Sequence, residues 1–496
     1  MKTAALILSI ILLPTVCWGQ DDDFGQYVRE QQADFARYVE ETSDDFKAYN
    51  DSINREFAQF LAETWPDYKL QKVEPPIKTP QPPAVYRPDT YPTEPLKLPV
   101  RDIVPLPDPT VTLPDLPRDE KEDAHEEVTP TPPPSVEEEI KTLFYGTTIG
   151  LKKATYSLPR LAGIDERAVS AYWSALSQLP YTDWAIGVQR LRSSLKLNEW
   201  GLYLLVNHVF DTYFPGRSAS EQTVFAVFTL NQLGYRARIG RAEGQLMPLL
   251  AFDCGVSNSA YFEYSGIKYY IVNLDHVNLT SVQSCRMDYG GADRLIRMAL
   301  TTAPKLQPAI TTRTLKTAKG EYTLQYDSNY ARLLSTYPCV DFHIYAQAAP
   351  SEAFLQSVDN TLRPALQGKS QEAAVNLLLD MIQNGFKYMT DGKQFGYEHW
   401  NFPDETMASA YCDCEDRAIL FSHLVRHLLG MDVVLIYYPG QHLAAAVHFD
   451  NPATRGDYVT VDGKKYLICD PTFIGASLGM AMPDLKSTTV EVVTLK

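Results

Sequence analysis

Two periodicities and one long break divide the chain. From Phe24 to Leu61 the apolar residues Phe24, Val28, Phe35, Tyr38, Val39, Phe46, Tyr49, Ile53, Phe57 and Phe60 recur at helical spacing, against a face of Asp, Glu, Gln and Arg. This predicts one amphipathic helix or a helical hairpin. Its polar face is acidic, whereas helices that lie on membranes favour Lys and Arg. The aromatic stripe is therefore expected to pack on protein, either the body of this chain or another copy. Next comes a break: 18 of the 34 prolines lie between Pro75 and Pro134. Proline fixes φ and removes a backbone donor, so the stretch is expected to be a semi-rigid spacer without regular secondary structure, loosely tying the leading helix to the rest. From about Val136 the composition is globular to the end.

Within the globular part the pattern of helix, β-branched strand and hairpin occurs twice. One copy runs "SEQTVFAVFTLNQLGYRARIGRAEGQLMPLLAF" from Ser220, then "SGIKYYIVNLDH" from Ser265. The other runs "CEDRAILFSHLVRHLLGMDVVLIYYPGQHLAAAVHF" from Cys414, then "DGKKYLICDPTF" from Asp462. Each apolar helix ends at a glycine (Gly234, Gly430), a common C-terminal cap. Each then has a strand, a Gly-Gln turn, a second strand and a hairpin turning at glycine (Gly266, Gly463). A further apolar helix precedes each copy. Aligned, Ser220 falls on Cys414, Leu246 on His442 and Asn273 on Asp470. Between the copies, "TTRTLKT", "GEYTLQYD" and "VDFHIYAQ" alternate as strands and predict a small β element.

Composition narrows the class. The formal net charge is -16, which argues against a general nucleic-acid binder, since that needs a basic face for phosphates. Lys2, the apolar run "AALILSIILL" and the small residue Gly19 read as an export signal cleaved near Gly19, favoured over lipidation at Cys17 because Val16 suits a lipoprotein signal poorly. No later run is long and apolar enough for a membrane span, so a periplasmic or secreted location is expected. Six cysteines remain, too few for a disulfide scaffold in so long a chain; one bridge, Cys254–Cys285, is the pairing expected.

Thiol catalysis needs an ionisable cysteine, a histidine within reach and a group that fixes the imidazole. Cys414 opens a helix, where backbone amides and the helix dipole favour thiolate; Cys412 lies upstream of that benefit. His442 begins the strand after the Gly-Gln turn, and Asp470 ends the hairpin strand before Pro471. His448 shares the strand of His442 but lies too far along it to face the same thiol. His423 and His427, four apart on the helix, read as polar surface. Two other readings compete: zinc held by Cys412, Cys414, Cys469 and His442, and a catalytically silent binding domain. Zinc would leave the adjacent acids and the Asp-Pro-Thr run without a role.

These residues resemble the transglutaminase-like superfamily. The nearest likeness is to its bacterial cysteine-proteinase branch, whose "DCEDxA" signature reads here Asp413-Cys414-Glu415-Asp416-Arg417-Ala418. "H-x-A" reads His442-Leu443-Ala444, and "D-P-T" reads Asp470-Pro471-Thr472. The segment "FGYEHWNFPDET" from Phe395 also resembles one found ahead of the cysteine in such exported proteins. The likeness spans 377–482. It implies an α+β fold and a papain-like triad, with Cys414 as nucleophile, His442 as base and Asp470 as orienting acid. No cofactor or metal ligand is assigned. The expected partition is a signal peptide (1–19), the amphipathic helix (20–66), the proline-rich linker (67–135), a degenerate transglutaminase-like lobe (136–300), a β connector (301–350) and a catalytic lobe (351–496). The expected activity is hydrolysis or transfer of amide acyl groups on an envelope protein or peptide. An envelope partner would dock on the leading helix, and the alternative is a catalytically silent scaffold. Without a base at Leu246, the first lobe is expected to be inert.

Overall fold

The computed structural model describes residues 43–75, 77, 80, 83–92, 94–105, 139–153, 156–272 and 279–496. The export signal, the leading helix before Ser43, the spacer beyond 105 and Asn273 lie outside the described residues. The described residues from 54 on form one compact unit. The helix Ser43–Leu61 is described from its first turn.

This unit is α+β, built on two sheets. In the first, the order is 67–69, 281–284, 237–242, 245–250, 267–271, 259–264, 71–73. All its pairs are antiparallel. The strands at its two edges, Asp67–Lys69 and Gln71–Val73, are separated only by Leu70. A single residue cannot span a flat seven-stranded sheet, so the sheet curls until its edges meet, in the manner of a barrel. The second sheet has the order 458–461, 464–469, 442–448, 433–438, 490–494, 100–104. Among the described residues, its one parallel strand pair joins Val490–Thr494 to Val100–Val104.

The two sheets share one connectivity. A buried helix, Ala219–Gln232 or Cys414–Leu429, leads into two antiparallel strands, and a hairpin then adds its second strand beside the later of them. Each helix packs on that shared strand, Gln245–Leu250 or His442–His448. Both helices end where expected, with Gly234 at φ 81 and Gly430 at φ 62, left-handed conformations that glycine adopts without strain. The helix Cys414–Leu429 is enclosed over most of its surface: Ala418, Ile419, Leu420, Phe421, Leu424 and Val425 are all buried, and Arg426 and His427 are partly exposed.

Several expectations change. The connector hairpin is present, Ile310–Thr317 with Gly320–Asp327, but "VDFHIYAQ" is helical over Phe342–Ala346. There tertiary packing outweighs alternation: Phe342 lies 4.4 Å from the Trp400 ring. The hairpin packs on the helices Glu352–Leu366 and Gln371–Gly385, so it belongs with the second sheet's layer. The described part of the expected spacer is not a free tether. It supplies strands to both sheets, Leu98 is fully buried, and Tyr91 donates to Asp457 Oδ2 at 2.7 Å. Pattern reading missed this because proline excludes interior strands but not edge strands and isolated bridges. Of the two packing partners expected for the aromatic stripe of the leading helix, its C-terminal end uses the body of this chain rather than staying loosely tied: Phe57 is buried 5.0 Å from Trp173 and 5.4 Å from Tyr289. The expected Cys254–Cys285 bridge is also not formed. All six cysteines of the described residues are free, and Cys285 lies buried near Arg238, which donates to its carbonyl. No helix among the described residues is long and apolar enough to cross a membrane.

Candidate functional site

Cys414 is the first residue of its helix and has no exposed surface. The backbone amide of Leu443, the residue after His442, bonds to its sulfur. His442 opens its strand, equally buried, and its Nε2 lies 2.9 Å from Asp470 Oδ2. The other oxygen of Asp470 accepts from the Thr472 amide at 2.8 Å, a local turn that fixes the carboxylate. His442 Nδ1 is buried with no hydrogen-bond partner. The imidazole is thus oriented from one side and uncommitted on the other, beside the strand residue that meets the sulfur. The thiol does not bond to that nitrogen; it donates to Glu415 Oε2 at 3.0 Å. Burial first, then the charges of Glu415 and Asp413, push the Cys414 thiol well above its ordinary pKa. In this arrangement it is a protonated thiol, and the helix-terminus benefit expected from sequence is outweighed.

The other histidines are not alternatives. His448 Nδ1 is 2.8 Å from the Lys465 carbonyl, and His427 Nε2 is 2.9 Å from Asp359. Burial pushes His423 down to about 3, so it stays neutral and inside rather than forming polar surface. Cys412 accepts from Arg417 Nε at 3.4 Å, and burial raises its thiol to about 11. It is a packed, inert neighbour. The four residues weighed for zinc do not converge as a ligand group.

Several contributors were not legible as such. Arg417, fully buried, donates to the carbonyls of Phe386 at 2.9 Å, Pro471 at 3.4 Å and Gln383 at 3.5 Å, tying the cysteine helix to the aspartate loop. Gln383 Nε2 donates to the Asp470 and Ala476 carbonyls, both at 3.1 Å. The segment "FGYEHWNFPDET" closes on the same helix start: Asn401 donates to Asp416 from its backbone (2.7 Å) and its side chain (2.8 Å), and the His399 amide donates to Asp391 at 2.7 Å. The one signal for these was their place inside or just before the cysteine motif.

Around the helix start the fold gathers acids. Carboxylate oxygens of Asp391, Asp413 and Asp416 lie within 4.8 Å of one another, all buried. Asp413 Oδ1, Glu415 Oε1 and Asn401 Oδ1 are buried acceptors without partners. Burial and mutual repulsion raise Asp391, Asp413 and Asp416, while burial with Glu415 and Asp416 pushes Glu398 up to about 7. Such a cluster persists by holding protons or a cation. The donors are all hard oxygens, which suits calcium or magnesium rather than zinc. A cation there would offset the same negative charge that holds the Cys414 proton.

The first sheet repeats the arrangement without its chemistry. Ser220 Oγ accepts from the Leu246 amide at 3.1 Å, as the Cys414 sulfur does from Leu443. The hairpin registers pair Ala242 with Gln245 and Tyr438 with His442. Gln245, not Leu246, therefore occupies the histidine position, a one-residue correction to the sequence alignment. The turns differ in length, so alignment through the loop slipped by one. Neither residue is a base.

Compared with known proteins, the chain matches no family model, no curated protein and no solved structure.

Proposed function

We propose that the chain is an exported, transglutaminase-like thiol enzyme that cleaves or transfers amide acyl groups on a protein or peptide, with a live second lobe and an inert first one. The observation that carries this reading is the buried His442–Asp470 pair with Nδ1 uncommitted, one residue from the amide that meets Cys414 Sγ. The shared sheet connectivity supports the two-lobe reading.

In this mechanism His442 Nδ1 takes the thiol proton once Sγ turns away from Glu415. The thiolate attacks the amide carbonyl, and first-turn amides of the helix, which lack intrahelical partners, stabilise the oxyanion. The C–N bond breaks and the imidazolium protonates the leaving amine. Water or a second amine then releases the acyl group from Cys414. Asp470 holds the ring and balances its charge throughout.

The scaffold reading draws on the buried, Glu415-bonded thiol. Iodoacetamide separates the two: the enzyme reading expects selective labelling of Cys414 at neutral pH, lost on His442→Ala. Slow labelling shared among accessible thiols would favour the scaffold.

A further inference from the structure

Cys414 and His442 have no exposed surface and Asp470 is 2 % exposed, so an amide cannot reach the thiol in this arrangement. The loops that carry the base and the acid are each met by described residues of the chain's own proline-rich segment. Ile77, itself buried, forms a parallel bridge with Gly440, two residues before His442. Further along, the Tyr86 amide donates to the Ile474 carbonyl at 2.8 Å, and the Ile474 amide donates to the Ala84 carbonyl at 2.7 Å. Ile474 follows Asp470 by four residues, and the Tyr86 ring lies 6.2 Å from Phe473.

This strap is anchored on both sides of the crossing. Before it, Gln71–Val73 pairs with Ser259–Tyr264 in the first sheet. After it, Tyr91 and the Leu96 amide bond to Asp457, which also pairs with Lys486, and Val100–Val104 joins the second sheet. At the crossing, the described residues Ile77 and Val85 are joined to the second sheet's loops by isolated bridges, and Val85 is 62 % exposed. Opening these bridges would leave the ladders of both sheets in place.

We propose that Ile77 and Ala84–Tyr86 lie in the cleft that takes the substrate, as built-in occupants. The substrate is then an extended polypeptide, held by backbone pairing to the Gly440 and Ile474 loops in the same way. This rests on the thiol-enzyme reading above. The contacts at Ile474 are one donor and one acceptor on the main chain, which any extended segment can replace and a single amino-acid amide cannot.

The test uses the full chain with a lock, Val85→Cys with Ile474→Cys across the bridged pair, and separately a release, Ile77→Asp. Iodoacetamide labelling of Cys414 is followed by peptide mass mapping, with buried Cys469 as a reference for global opening. The oxidised lock is expected to label at least about tenfold more slowly than the same protein reduced, and the release about tenfold faster than wild type, with Cys469 unchanged. The lock compares two states of one folded protein, so its outcome is decisive even if Ile77→Asp fails to fold. Labelling within about twofold between oxidised and reduced lock would overturn the cover. For the substrate class, the reduced lock should turn over an extended peptide amide with kcat/KM at least about tenfold above that for a single amino-acid amide. Equal rates would overturn that class. Labelling that follows the lock without turnover of any amide would refute the enzyme reading and the substrate class together, and leave the cover established.

Discussion

Replacing Asp470 by Asn isolates the charge behind the histidine while keeping shape. The carboxylate lies 2.9 Å from His442 Nε2, and both side chains are buried. At that distance and an effective dielectric of about 20, attraction between a carboxylate and an imidazolium is about 6 kcal/mol. Asn has one side-chain oxygen: kept on the Thr472 amide it preserves the turn, and its NH2 then faces His442 Nε2, leaving the ring a neutral hydrogen bond of about 1–2 kcal/mol. The loss of imidazolium stabilisation is then about 4 kcal/mol, or roughly a thousandfold in the chemical step. The assay is kcat/KM on a peptide amide beside a thermal melt of the same preparations. The expected result is a fall of about 10²- to 10⁴-fold with a melting temperature within about 5 °C of wild type. Turnover within about threefold of wild type would refute the role given to Asp470.

Two further outcomes follow from the surroundings of the site. Arg417→Met leaves the carbonyls of Gln383, Phe386 and Pro471 without their donor. It should cost about 3–5 kcal/mol in chemical denaturation, and Arg417→Lys should not restore it, because one ammonium cannot reproduce the fork. Glu398 is raised to about 7 and Asp391, Asp413 and Asp416 are raised with it. The folded state therefore holds more protons than the unfolded one above the ordinary carboxylate range, and stability should fall as pH rises from about 4.5 through 7. Differential scanning fluorimetry should show calcium flattening that fall and chelator restoring it; a melting temperature rising over the window would contradict the assignment.

How much of this was readable from sequence follows from which interactions are local. The helix opened by Cys414, its Gly430 cap, the Gly-Gln turn before His442 and the hairpin ending at Asp470 carry short-range signals, and each element is in place. His442 with Asp470 could be paired because both lie at the ends of neighbouring strands. What escaped depends on long-range packing. The acid cluster joins Asp391 to Asp413 and Asp416 across a loop, and Arg417 reads as an ordinary helical arginine until its three carbonyl partners are known. The strap is the largest miss, because proline content predicts an extended backbone but not the surface on which that backbone lies. The one-residue slip that put Leu246 on His442 has a similar origin, since only the strand register identifies Gln245 as the equivalent residue.

The central claim is that Cys414 forms an acyl bond with the help of His442. Intact-protein mass spectrometry of the full chain after prolonged incubation with a peptidyl amide or activated ester tests it directly. A covalent acyl adduct mapped to Cys414 in wild type, and lost in His442→Ala and Cys414→Ala, is the predicted result. An adduct on another thiol, or one on Cys414 that persists undiminished in His442→Ala, would contradict it.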